Sequence, residues 1–454
     1  MQKSRLIVFC AILYTAGIFF TSDKTLRIMS MTLCNFVSIA MLVILFMRWG
    51  AGKFKFFSST PIAMPLAAAI LWAGISLLFS RINPDTAISP DAYLYAWATG
   101  INSPAFRGIS FFVRLGLAIA AFSFLYQAVD SLKTYKRIIK TFSWGYIVFC
   151  TITLAQIILY HFFSYSFGQL FVDSLGRMRI GSYVGEPSVM SALLASGYFL
   201  FSPFFKPPAD WPTLPKFARW YGFIAASVAL FYAMSAAVIL AIILAYMFAK
   251  VKNIRSLVVV SSLAFLLVIT PSVIDRFLDN PLITKVQTEL TTVTIRSLSW
   301  LIGYNMLLAA PLTGVGIGQF PFFIEQQIPT DVEINFDLKT SFDYTAIRHT
   351  AMNTYLEWIA ETGIIGGGVL IWVIVAGYRA QNRFKGVSVT AVRKTFGMAL
   401  IALLISANSF PGAFYLSHLV FVVAMYFAGL RVYADVPISA GKQSGADIEL
   451  RRNS

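Results

Sequence analysis

Four arginines, one histidine, two glutamates and an asparagine are the residues of this chain whose types and spacing suit chemistry. Arg177 and Arg179 precede Glu186 in "RMRIGSYVGEPSVMSALLA", and Arg296 lies in "TIRSLSW". Arg348, His349, Asn353 and Glu361 belong to "IRHTAMNTYLEWIAETGIIGG". A guanidinium stays charged and grips phosphate oxygens in bidentate fashion. A histidine near its ordinary pKa can take a proton from an attacking hydroxyl or donate to a phosphate oxygen. A lipid-borne phosphate or diphosphate attacked by a hydroxyl would suit such a set. Bland readings stand beside it. Single arginines bind headgroups or snorkel, Glu186 suits a helix N-terminus with Pro187 in the first turn, and a lone histidine is usually inert. On a continuous helix, His349, Asn353, Glu357 and Glu361 would form one polar face.

These residues must be positioned by membrane elements. The 454 residues are 58% hydrophobic and 12% charged, with mean hydropathy +0.72, too apolar for a soluble protein of this length. Apolar runs of roughly 17 to 22 residues recur, each long enough to cross a bilayer core. Spans are expected near 5–21, 28–47, 61–80, 109–128, 142–162, 184–204, 218–233, 235–250, 256–273, 362–379, 395–410 and 413–430. The first follows "MQKSR" and reads as a retained signal anchor. The expected fold is an all-α polytopic membrane protein. Residues 1–273 carry nine spans, 274–361 form a large extramembrane loop, 362–431 carry three more spans, and 432–454 form a polar tail.

Charge orients the bundle. The net charge of +16 resides mostly in short basic clusters between apolar runs, which the positive-inside rule explains better than nucleic-acid binding does. With both termini cytoplasmic, every inner loop is basic, including Lys133 to Lys140 and Arg379 to Lys394. The site residues then lie in the outer loops. Cys10, Cys34 and Cys150 fall inside spans, leaving no disulfide for those loops. The segment around Trp300 reads as an interfacial helix stopped by Pro311. "GVGIG", Gly314 to Gly318, follows no strand, so it reads as a turn or a close backbone contact rather than a nucleotide loop. His161 and His418, near span ends, read as packing residues. The outer loops contain no metal-ligand pattern.

Taken together, "RIGSYVGEPS", "MSAAVILAIILAY", "RSLSW…PLTGVGIGQF" and "HTAMNTYLEWIAETGIIGG" resemble the bacterial O-antigen polymerase and ligase superfamily, best over about 175 to 380. The resemblance implies a GT-C-like helical fold in the bacterial inner membrane. It implies a metal-independent glycosyltransferase without a cofactor, acting on undecaprenyl-diphosphate-linked oligosaccharide at the periplasmic face, with membrane lipid and a chain-length regulator as partners. By the same resemblance Arg179 and Arg296 bind the diphosphate, assisted by Arg177 and Arg348. His349 orients or deprotonates the acceptor, and Glu186, Asn353 and Glu361 position these groups. The sequence departs from the family at Met352, where the histidine usually stands, and at Ala236, where an arginine often follows the serine. The "GEPS" element is closer to polymerases than to ligases. A transporter is the reading from another class, although no internal repeat supports it.

Overall fold

The computed structural model describes residues 5–20, 33–52, 62–79, 104–165, 169–172, 178–182, 187–201, 214–233, 236–250, 298–327, 353–384, 387–407, 414 and 416–434. In chain order the helices are α1 (Arg5–Gly17), α2 (Leu33–Gly50), α3 (Ala63–Leu78), α4 (Pro104–Ala128), α5 (Leu132–Phe163), α6 (Pro187–Phe201), α7 (Lys216–Ala233) and α8 (Ala236–Lys250). They are followed by α9 (Leu298–Ala309), α10 (Phe320–Gln327), α11 (Thr354–Gln381), α12 (Val387–Ser406) and α13 (Ser417–Ala434). Helices occupy eleven of the twelve expected span positions. The ninth, 256–273, and the tail beyond Ala434 lie outside the described residues. Among the described residues five helices, α2, α4, α5, α11 and α13, are long and apolar enough to cross a membrane, consistent with a polytopic membrane protein.

Two differences from expectation concern the elements themselves. The fold is not purely helical, because β1 (Gln169–Val172) and β2 (Met178–Ser182) form an antiparallel hairpin. Its register pairs Phe171 with Arg179 and Leu170 with Ile180, and slips between Gln169 and Leu170. The hairpin packs on α5, α6 and α7, with Thr153 Oγ1 3.3 Å from Ser182 Oγ. In addition, α11 begins at Thr354, eight residues before the expected start of its span, and is broken at Gly363 (φ 70°, ψ −173°). Helix α9 ends at Ala309, just before Pro311, as the proline requires.

Small residues set the helix spacing. A Cβ on Gly197 of α6 would lie 2.1 Å from the Tyr146 ring of α5, whose hydroxyl donates to Leu194 O at 2.9 Å. Phe142 of α5 stacks on Phe421 of α13 at 4.5 Å between centroids, and Phe19 meets Phe142 at 5.3 Å. Without a hydrophobic drive between helices in lipid, such close contacts are what hold a bundle together. All three cysteines are buried and free.

Arginines tie off helix ends at the side where α4 and α11 finish. Arg431 Nη2 of α13 donates to Tyr126 O at 2.7 Å and to Val129 O, and its guanidinium lies 4.1 Å from the centre of the Tyr126 ring. Arg393 Nη2 of α12 donates to Gln381 O at 2.8 Å and Phe384 O at 3.0 Å, behind α11. Each satisfies carbonyls a helix terminus leaves open. Arg431→Ala is expected to cost about 2 kcal/mol, the range for a charged hydrogen bond to a buried partner. It should appear as a lower melting temperature of the detergent-solubilised protein, with Arg431→Lys recovering only part, since an ammonium lacks the guanidinium's fork.

Candidate functional site

The "GVGIG" turn and the break in α11 are one construction. Gly314, Gly316 and Gly318 have φ of 69°, 108° and 73°, a left-handed alternation that side-chain-bearing residues rarely adopt. The turn runs along the carbonyls that the break at Gly363 releases. Val315 N donates to Ala360 O at 3.0 Å and Gly316 N to Glu361 O at 2.9 Å. In return Ile364 N, the first amide beyond the break, donates to Pro311 O at 2.8 Å. Two side chains of α3 complete the set: Ser76 Oγ donates to Glu361 O and Trp72 Nε1 to Thr362 O, both at 2.7 Å. Further along α11, Trp358 Nε1 donates to Gly366 O across the break at 2.9 Å. A broken helix in an apolar setting persists only if its freed groups find such partners.

No side chain fits at the contact. A Cβ on Gly314 would lie 2.3 Å from the backbone carbon of Glu361, and one on Gly363 would lie 2.3 Å from Leu312 O.

Glu361 is the side chain at the centre. Its carboxylate accepts from the backbone N–H groups of Gly318, Gln319 and Phe320, the last at 3.1 Å. It thus caps the start of α10, where the helix dipole favours a negative group. Arg107, buried at the start of α4, interacts electrostatically with Glu361, and its guanidinium lies 5.0 Å from the centre of the Phe111 ring. The first turn of α4 presses on the glycine turn: a Cβ on Gly108 would meet Gln319 Nε2 at 2.6 Å, and one on Gly318 would meet Arg107 O at 3.1 Å.

Asn353 caps the other end of the half-helix. Its backbone is extended (φ −152°, ψ 112°), and its side-chain oxygen accepts from Tyr355 N and Leu356 N at 3.0 and 3.1 Å. This corrects the expectation of one helical face from His349 to Glu361. The helix starts after Asn353, whose short polar side chain satisfies the orphan amides, so the face runs unbroken only from Thr354 to Glu361; His349 lies outside the described residues. Glu357, one turn into the helix, is 4% exposed. With Thr354, Trp358 and Glu361 it lines a half-open pocket against Phe111 and Phe414.

Of the residues expected from sequence, Asn353 and Glu361 are brought into this construction. Arg179 lies in β2, and nothing of its side chain is described. Arg177, Glu186, Arg296, Arg348 and His349 lie outside the described residues, although Pro187 does open α6 as expected. The sequence reading missed Arg107, Trp72 and Ser76, and left Glu357 without a role. Arg107 carried a usable signal, since it is a positive charge at the start of an apolar run. Trp72 and Ser76 carried none.

The glycine turn and the break both fall inside a recognisable domain. Residues 221–371 match the Wzy_C family model, described as O-antigen ligase. This is a domain of the O-antigen polymerase and ligase superfamily. Members of that family are membrane glycosyltransferase-like enzymes, and lipid-linked glycans and membrane lipids are their general substrates. A comparison with curated proteins finds no match.

Gly314→Ala is expected to destabilise the protein by more than the roughly 1–3 kcal/mol that a left-handed residue costs, because the new methyl meets backbone. Gly368→Ala, which has nothing within 4 Å of its added Cβ, should be neutral or stabilise by up to about 1 kcal/mol. Thermal melts of the two purified variants check the pair.

Proposed function

We propose that the protein is a polysaccharide polymerase of the bacterial inner membrane, transferring a polyprenyl-diphosphate-linked glycan onto the next lipid-linked repeat unit at the periplasmic face. The observation that carries the reading is the coincidence of the matched region, residues 221–371, with the one-piece assembly of glycine turn, broken helix and buried carboxylates. The "GEPS" element before α6 favours polymerisation. The ligase reading, transfer to lipid A core, is favoured by the description of the family itself. Both share the same chemistry.

In that chemistry the acceptor hydroxyl oxygen attacks the anomeric carbon of the donor sugar. The bond from that carbon to the diphosphate oxygen breaks, and its electron pair leaves with the polyprenyl diphosphate. Arg296 and Arg179, with Arg177 and Arg348, hold the diphosphate and stabilise the charge that develops on it. Fixed guanidinium charges suffice for this in a metal-independent transferase. His349, four residues before the helix cap, orients the hydroxyl and takes its proton. Asn353 and Glu361 act by holding the half-helix in place, and Glu186 at the mouth of α6 orients the arginines. GT-C-like describes the proposed arrangement: polytopic helices with the site at their outer end.

The gel profile of surface and lipid-linked glycans from a strain lacking the gene tests the reading. Collapse of the ladder to a single repeat unit on lipid A core is the expected result. Bare core with long glycan retained on the carrier lipid would establish the ligase instead. An unchanged profile of both pools would remove glycan transfer altogether. Complementation with Arg296→Ala should leave the protein in the membrane at normal level and yield no product; normal glycan would remove Arg296 from the mechanism.

A further inference from the structure

Ser182, the last residue of β2, has φ 51°, in the left-handed region that glycine enters freely and a residue with a side chain enters at a cost. The other non-glycine residue with positive φ among those described, Ser164, is the left-handed C-cap of α5, where helix ends call for that conformation. Ser182 ends a strand, where nothing in the backbone calls for a serine rather than a glycine. What distinguishes the two residues is the hydroxyl.

That side chain is fully buried, with its Oγ 3.3 Å from Oγ1 of Thr153, itself fully buried in α5. Thr153 Oγ1 also lies 2.9 Å from Phe149 O, one turn back in the helix, so the pair is fastened to the α5 backbone. Strand pairing does not do this work. The register of the hairpin slips between Gln169 and Leu170, and Gln169 is the residue paired with Ser182. At such an irregularity the ladder is locally disrupted, and a two-stranded hairpin is marginal without support.

The strand so fastened bears Arg179, three residues before Ser182 and opposite Phe171. In sequence Glu186 follows Ser182 by four and directly precedes α6. Helix α6 is seated on α5 by Tyr146, whose hydroxyl donates to Leu194 O and whose ring fills the space beside Gly197. Tyr146 and Thr153 are two turns apart on one face of α5. That face is therefore the common reference for the hairpin and for α6.

We infer that the Ser182–Thr153 hydroxyl pair is a positioning element of the transfer site, fixing β2 against α5 and so setting the place of the Arg179 backbone; this rests on the glycan-transfer reading and on the role given there to Arg179. Both hydroxyls are buried away from substrate and act through the arginine. A guanidinium that stabilises charge developing on the leaving diphosphate must be in place at the transition state, so a displaced strand lowers kcat more than it raises KM.

The test uses lipid-linked oligosaccharide extracted from a strain lacking the gene, with wild-type and variant proteins in proteoliposomes and initial rates measured against substrate concentration. Ser182→Gly removes one hydroxyl while relieving the backbone, Thr153→Val removes the other at nearly constant shape, and Thr153→Ser keeps it. Expected is a kcat lowered about tenfold in Ser182→Gly and Thr153→Val, with KM within about twofold and Thr153→Ser close to wild type. Added to Arg179→Lys, Thr153→Val should lower kcat by less than about twofold, because residues acting through one group are not additive. A wild-type kcat in Ser182→Gly overturns the positioning role and leaves glycan transfer standing. So does a Thr153→Val penalty that persists in full in the Arg179→Lys background, or a wild-type kcat in Arg179→Lys itself. No turnover by wild type overturns glycan transfer and the positioning role together. Should Arg179→Lys be inactive, or Thr153→Val fail to reach the membrane, Ser182→Gly decides: a lowered kcat at unchanged KM and melting temperature supports the role, and a wild-type kcat overturns it.

Discussion

The hydrogen bonds between the broken end of a helix and the turn that crosses it are the constraint on which the site depends. Gly363 interrupts α11, and the carbonyls of Ala360, Glu361 and Thr362 are taken up by Val315, Gly316, Ser76 and Trp72. Left open in an apolar bundle, each would cost several kcal/mol. The acceptors therefore dictate the donors' positions, and the donors come from two other, separate parts of the chain. Residues of α3, the turn before α10 and the half-helix of α11 cannot be placed independently. The glycines follow from this demand, because the turn must bring its amides to within 3 Å of another backbone.

Glu361 extends the same logic to a fourth element. Its backbone oxygen belongs to the break and its side chain to the start of α10, while Arg107 joins α4 to the group. One residue thereby connects a helix end, a helix start and a buried cation. The opposite end of α4 is tied by Arg431, about 30 Å away along the helix axis. That separation approximates a bilayer core. The bundle thus carries polar clamps at two levels and apolar, glycine-spaced packing between them. The clamps at the end where α4 and α11 finish are built from Arg431 and Arg393.

Much of this was legible as length and little as geometry. Apolar runs gave the positions of helices, because a long apolar run must satisfy its own backbone, and Pro311 gave the end of α9, because proline has no amide to continue a helix. "GVGIG" was correctly read as backbone packing, though not what it packs against, since a local motif does not name its distant partner. The start of α11 was misread. Four-residue spacing of polar residues is the same whether or not the helix continues, and Asn353 serves equally as a helix-face residue and as a cap. The β1–β2 hairpin escaped notice because its strands, four and five residues long, are too short for a criterion based on spans. Trp72 and Ser76 lie in an ordinary apolar run, and only the tertiary contact gives them a role.

A broken helix can hold a buried face in a way that an unbroken one cannot. A continuous helix would turn all its carbonyls inward and present only side chains. The break instead frees backbone to anchor the segment from below, so that the face bearing Thr354, Glu357 and Trp358 is held by main-chain bonds that substitution at those positions does not remove. The side chains on that face can then change while the anchor stays. Glu361, whose carboxylate anchors, and Glu357, buried one turn earlier, lie on the same helix, so the position of the second is fixed by the bonds of the first.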